Sequence, residues 1–122
     1  MRYKIRWSPR AQQDMDAVWD GVYEASKDLD TTDRYVDEFI EEIDKKREYP
    51  QSGIPLEYRG LFTGYYSVNY KAYKAFYRIK DDYIEVLRIF MMKEDYLKKL
   101  FGPDFLAQDA TGGPVFHEST DI

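Results

Sequence analysis

The 122-residue chain contains no cysteine and only one histidine, His117. Without cysteine there is no disulfide framework, no thiolate metal site and no cysteine nucleophile. With a single histidine, neither a histidine-clustered metal site nor a Ser-His-Asp triad can be built. No apolar run approaches the roughly 18 residues of a membrane-spanning helix. Met1 leads straight into Arg2-Tyr3-Lys4-Ile5-Arg6 with no apolar signal segment, so a small cytoplasmic domain is expected. Hydrophobic residues make up 43% of the chain and charged residues 34%. That is enough for one core, and the length allows one domain. The domain is expected over 1–102, followed by a flexible acidic tail over 103–122.

Net charge is −5, which argues against a general nucleic-acid binder. The sign is unevenly distributed. The first strand carries Arg2, Lys4 and Arg6 and no acid. Residues 8–50 hold 13 acidic and 6 basic side chains, whereas 56–102 hold 9 basic and 6 acidic. The tail has Asp104, Asp109, Glu118 and Asp121 and no lysine or arginine. Such asymmetry within one domain implies a polarised surface.

Residues 2–7 alternate, with Tyr3, Ile5 and Trp7 on one side and the three cations on the other. Period two predicts a half-buried edge strand with a basic outer face. Ser8-Pro9 reads as a helix start, with Ser8 as N-cap and Pro9 at the first helical position. Ala11, Met15, Val18, Val22 and Ala25 form one stripe of a helix over about 9–27. A turn at Asp28–Asp30 precedes a second helix, capped by Thr31 or Thr32. Its stripe is Val36, Phe39, Ile40 and Ile43, and it ends before Pro50. Two helices with a short connection form an antiparallel hairpin.

Pro50, Gly53, Pro55 and Gly60 predict a loop over 50–60. Strands are expected near 61–70, 72–79 and 83–90, with a bulge at Gly64 and a turn at Lys80-Asp81-Asp82. In the last strand, alternation places Ile84, Val86, Arg88 and Phe90 on one face and Tyr83, Glu85, Leu87 and Ile89 on the other. Tyr96, Leu97, Leu100 and Phe101 read as a short closing helix or turn, stopped by Gly102-Pro103. The order β-α-α-β-β-β predicts an α+β fold, a small four-stranded antiparallel sheet packed on a helical hairpin.

Several segments taken in order resemble the RelE/ParE superfamily of toxins from bacterial type II toxin–antitoxin modules. They are Ile5-Arg6-Trp7-Ser8-Pro9-Arg10-Ala11, Ala75-Phe76-Tyr77-Arg78-Ile79-Lys80-Asp81-Asp82, Ile84-Glu85-Val86-Leu87-Arg88-Ile89-Phe90 and Glu94-Asp95-Tyr96. The resemblance spans about residues 2–101 and implies the same β-α-α-β-β-β fold. It implies growth arrest, either by metal-independent, ribosome-dependent mRNA cleavage or by poisoning of DNA gyrase. A third implied possibility is an inactive relative that only binds an antitoxin. The implied partners are a cognate antitoxin and either ribosome-bound mRNA or gyrase. Operator DNA would be met only through the antitoxin. No cofactor and no metal are implied.

For RNA cleavage the resemblance points to Lys74, Arg78, Arg88 and Tyr96 as catalytic candidates. Lys71, Tyr73 and Lys93 are candidates for contacting RNA or another target. The chemistry needs a base at the 2′-hydroxyl, an acid for the leaving oxygen and cations at the phosphorane. Arginine suits the last task because its fork offers two donors at once. The chain departs from the nuclease pattern in three places. Tyr65-Tyr66-Ser67-Val68-Asn69-Tyr70 stands where nuclease members carry paired lysines. Met91-Met92-Lys93-Glu94-Asp95 replaces a basic run, and His117 lies far from the position of the nuclease histidine. The structural alternative pairs Arg78 and Arg88 with Glu85, Asp81 or Asp82 across the sheet.

Overall fold

The computed structural model of the chain describes residues 2–93. Strand β1 (Lys4–Trp7) leads into helices α1 (Pro9–Ser26) and α2 (Leu29–Asp44). Two short 3-10 turns, Lys45–Arg47 and Pro50–Ser52, connect these to strands β2 (Ile54–Tyr58), β3 (Leu61–Tyr70), β4 (Tyr73–Lys80) and β5 (Tyr83–Met91). Among the described residues no helix is long and apolar enough to cross a membrane.

The helix ends follow capping chemistry. The Ser8 side chain accepts from the Ala11 N–H at 3.0 Å, and Pro9 occupies the first helical position. Helix α1 stops at Lys27, which adopts the left-handed conformation at φ 54°. The next residue, Asp28, caps α2 by accepting from the Thr31 N–H at 3.0 Å. The cap is therefore Asp28 rather than Thr31 or Thr32. The Thr32 hydroxyl is buried and donates back to the Asp28 carbonyl. Only Lys27 and Asp28 separate the helices, so they must run antiparallel.

The sheet has five strands in the order β1-β5-β4-β3-β2. This corrects the four-stranded antiparallel expectation in two ways. First, residues 54–58 form a strand inside the expected loop. They lie at the sheet edge, where Pro55 is tolerated, opposite Tyr66. Second, β1 pairs with β5 in parallel, Lys4 opposite Tyr83 and Trp7 opposite Val86. The long excursion through the helices returns the chain in the direction that parallel pairing needs. The other pairings are antiparallel. Gly64 takes φ +91° where the β2–β3 register shifts, so the expected bulge is present.

The main core lies between the sheet and the helices. Ala11, Met15 and Val18 from α1 and Phe39 and Ile43 from α2 meet Val68, Ala75, Val86 and Ile89. Ile40, expected on the core stripe, is 38% exposed and lines a shallow cleft of about 370 Å³ with Trp7 and Met15. Tyr77 crosses the edge of this layer, fully buried, and its hydroxyl donates to the Pro50 carbonyl at 2.5 Å.

The faces of β5 differ from simple alternation. Opposite β4, Phe76 faces Arg88 while the next residue, Tyr77, faces Val86, so β5 carries an extra residue there. Beyond this bulge the phase inverts: Val86 and Ile89 both join the helix-side core, whereas Leu87 and Phe90 both join a second cluster on the open face. A period-two reading has no means of placing that extra residue.

Candidate functional site

The side chains that the sequence groups into one site are distributed by the fold over several places. On β4, alternation puts Lys74, Phe76, Arg78 and Lys80 on the open face, away from the helices. Between the cations lies an apolar cluster of Tyr65, Phe76, Leu87 and Phe90, with Leu56 and Tyr58 packed against it. Lys74 stands opposite Phe90 at one end, its Nζ 5.9 Å from the Phe76 ring centroid. Burial holds the Lys74 ammonium below the ordinary lysine range.

Arg78 stands at the other end, directly opposite Glu85, and its Nε donates to Glu85 Oε1 at 2.9 Å. The structural pairing anticipated for Arg78 is thus formed. Around it the Arg6 guanidinium lies 4.2 Å over the Tyr83 ring, and Lys4 pairs with Asp82 at 3.3 Å. The open face is therefore apolar at its centre and predominantly cationic at its ends.

Arg88 stands opposite Phe76, with its guanidinium 4.6 Å from the Phe90 ring centroid, but it is held at the sheet edge by α1. Its Nε donates to Asp14 Oδ2 at 2.7 Å and its second nitrogen to Asp14 Oδ1 at 3.3 Å. The same carboxylate accepts from the Ile89 N–H at 2.9 Å. Both side chains are largely buried, at 10% and 14% exposure. The expected partners Glu85, Asp81 and Asp82 are not the ones used, because Asp14 on α1 reaches the edge of β5 beside Arg88. Strand β1 ends opposite Val86, so the rest of β5 has a free edge on that side. Helix α1 closes it: the Ser8 N–H donates to the Val86 carbonyl, the Ser8 hydroxyl to the Leu87 carbonyl, and Asp14 takes the Ile89 N–H. Leaving such edge groups unpaired would be costly. Asp14 therefore has a function in the fold that its place off the apolar stripe did not reveal. The only sequence signal was an acid one turn after the start of a helix that packs on an arginine-bearing strand.

Tyr73 is directed to the helix side. Its ring lies edge-on to Tyr35 and near Phe39, and its hydroxyl lies 3.1 Å from where a Cβ on Gly21 would stand. Tyr73, Gly21, Asp14, Val18 and Arg88 line a cleft of about 380 Å³ beside α1. Lys71 occupies the β3–β4 turn at φ 52°, with its ammonium 5.1 Å over Tyr35 and 5.3 Å over Tyr70. Beside it the Tyr70 hydroxyl donates to Glu38. Burial, then that carboxylate, pushes its pKa up to about 12. Lys93 is exposed just past β5. Tyr96, the expected closing helix and the acidic tail lie outside the described residues.

Among the described candidates, Arg88 stands opposite Phe76 but is held by Asp14, which leaves along the open face of β4 Lys74 and Arg78. They are four residues apart on one strand, which at about 3.3 Å per residue separates their Cα atoms by roughly 13 Å. Cleavage of a phosphodiester needs its base, acid and cations gathered on one phosphate. Here Arg78 and Arg88 are each engaged by a carboxylate, and the apolar side chains between the cations are buried, Phe76 at 1% and Phe90 at 2% exposure.

A family model described as the ParE toxin of the type II toxin–antitoxin system, parDE, matches residues 5–96. The chain belongs to the ParE toxin family. Its fold is that of the RelE/ParE superfamily. A chain of the chromosomal ParDE toxin–antitoxin system from P. aeruginosa superposes with a TM-score of 0.63 at 19% identity, over 75% of this chain and 98% of that one. A chain of the toxin–antitoxin complex RelBE2 from Mycobacterium tuberculosis gives 0.56 at 19% identity, over 77% and 95%. No curated protein sequence matches.

Proposed function

We propose that this ParE-family toxin arrests growth by binding its target rather than by cutting RNA, with DNA gyrase as the target and the open sheet face as the contact surface. A cognate antitoxin neutralises it by laying an amphipathic acidic segment over the same face. The observation that carries this reading is the dispersal of the nuclease candidates. Arg88 is consumed by Asp14, Tyr73 packs beneath α2, and Arg78 is paired with Glu85. Lys74 and Arg78 stand roughly 13 Å apart along β4, with Arg78 engaged by Glu85. The cations Arg6, Lys74 and Lys80 on this face suit an acidic protein segment.

Induced expression, with 5′-end mapping of cellular mRNA and a supercoiling assay on purified gyrase, separates the two chemistries. Inhibited supercoiling with intact mRNA is expected. Cuts in ribosome-bound mRNA that vanish in Arg78→Ala would replace this reading with the nuclease. Undisturbed growth at high expression would remove both.

A further inference from the structure

The seam between α1 and α2 carries an apolar cleft at one end. Trp7, Met15 and Ile40 line it together with Asp16, and Ile40 is 38% exposed there. Further along, the Trp19 indole N–H donates to Asp33 Oδ1 at 3.0 Å, so residues 16–19 of α1 face 33–40 of α2. The Tyr23 ring stacks on Trp19 at the far end, with 5.4 Å between centroids. Helix α1 carries four carboxylates against Arg10, and α2 carries seven against Arg34. Those beside the sheet are engaged, Asp14 by Arg88 and Glu38 by Tyr70. Asp16, Asp20 and Asp37, by contrast, are exposed and have no ion pair or hydrogen bond among the described residues. Asp33 there meets only the Trp19 N–H. Asp16 with Asp20, and Asp33 with Asp37, stand one turn apart, a like-charge spacing that destabilises a helix. Uncompensated acids flanking an exposed apolar cleft cost the free chain stability, which a cationic partner restores. We propose that this seam docks a basic amphipathic helix of a second protein. One of its apolar side chains fills the Trp7–Met15–Ile40 cleft, and its lysines or arginines meet Asp16, Asp20, Asp33 and Asp37.

Charge and shape select that occupant. From Gln12 to Tyr23 the seam runs roughly 16 Å along α1, about three turns of a docked helix. A helix laid in such a groove presents side chains at i, i+3, i+4 and i+7, which places apolar anchors inward and cations at the flanks. Nucleic acid and anionic membrane carry the wrong charge for this surface. A second copy docking through the same seam would set these acids against one another. Its cationic open face keeps Phe76 and Phe90 at 1% and 2% exposure, so it has little apolar surface with which to fill the cleft. The seam belongs to the helical layer, on the other side of the sheet from the open face. A partner bound here therefore leaves the open face accessible, and the proposal does not rest on the function assigned to that face.

Trp7 and Trp19 are the chain's two tryptophans, and both border the seam, so intrinsic emission reads it directly. The probe is a tryptophan-free peptide of about 14 leucines and lysines patterned as an amphipathic helix. Titrated into the full chain, it should change the emission saturably. Asp16→Asn combined with Asp37→Asn should weaken binding at least about tenfold, as should about 0.5 M salt. Ile40→Ser should weaken it through the cleft instead, with little change in salt dependence. These side chains are exposed, and far-ultraviolet circular dichroism confirms that each variant keeps its helices. Glu57→Gln combined with Asp81→Asn removes the same charge from the sheet and should change the affinity less than about twofold. Equal weakening by the two charge pairs would reduce the effect to net charge and overturn the proposal. So would unchanged emission, or binding indifferent to Asp16, Asp37 and Ile40. Emission that shifts with chain concentration alone, with a doubled mass by light scattering, would make a second copy the occupant and also overturn it.

Discussion

Replacing Asp14 with alanine should destabilise this protein more than any surface ion-pair substitution. The carboxylate accepts three hydrogen bonds, two from Arg88 and one from the Ile89 backbone, at a site where both side chains are nearly excluded from water. Removing it leaves a buried guanidinium without its counter-charge and an edge N–H without a partner. Breaking a buried pair from one side costs about 3–5 kcal/mol. An exposed pair such as Lys27–Glu24, with side chains 62% and 77% exposed, is worth less than about 1 kcal/mol. With a urea slope of about 1.5 kcal/mol/M, the Asp14→Ala midpoint should fall by roughly 2–3 M. Adding Arg88→Met removes the orphaned charge and should recover part of the loss. The Ile89 N–H stays unpaired, so about 1–3 kcal/mol should remain lost. A midpoint shift of less than about 0.5 M for Asp14→Ala, or no recovery in the double variant, would refute the view that the buried charge dominates.

Gly53→Ala should cost about 1–3 kcal/mol, because the added Cβ would stand 2.1 Å from the Tyr77 hydroxyl, which is buried and hydrogen-bonded to Pro50. Thermal unfolding would read it, and an unchanged midpoint would show that Tyr77 moves freely. Ser8→Ala removes both the cap of α1 and the donor to the Leu87 carbonyl, so a loss of about 1–2 kcal/mol in urea denaturation is expected, with a null result counting against the dual role. Burial lowers the Lys74 pKa, so above its folded value the unfolded chain holds a proton that the folded chain has released. Stability should then rise with pH toward the ordinary lysine value of about 10.4. Lys74→Met should abolish that part of the slope in urea titrations taken across the window, and an unaltered slope would contradict it.

Much of the scaffold was legible because it depends on local chemistry. Ser8-Pro9 starts a helix through one hydroxyl and one ring, whatever surrounds them. The stripes of Ala11, Met15 and Val18 and of Phe39 and Ile43 mark the buried sides, since a helix shows only one face to a sheet. Gly64 announced its bulge by the conformation only glycine adopts readily. The pairing of Arg78 with Glu85 followed from a short hairpin, in which the Asp81-Asp82 turn fixes which residues stand opposite.

What the sequence by itself determined is thus the set of elements, their order, and the family resemblance they carry. Tertiary structure alone decided where the cations point. Strand 54–58 exists because β3 offers it an edge, despite its proline. One extra residue in β5 inverts the phase after Val86 and sets Arg88 opposite Phe76, where Asp14, 74 positions earlier in the chain, holds it at the sheet edge. Local propensity carries no information about such a slip. A bulge is paid for by contacts between distant segments, and those contacts exist only once the helix lies against the strand.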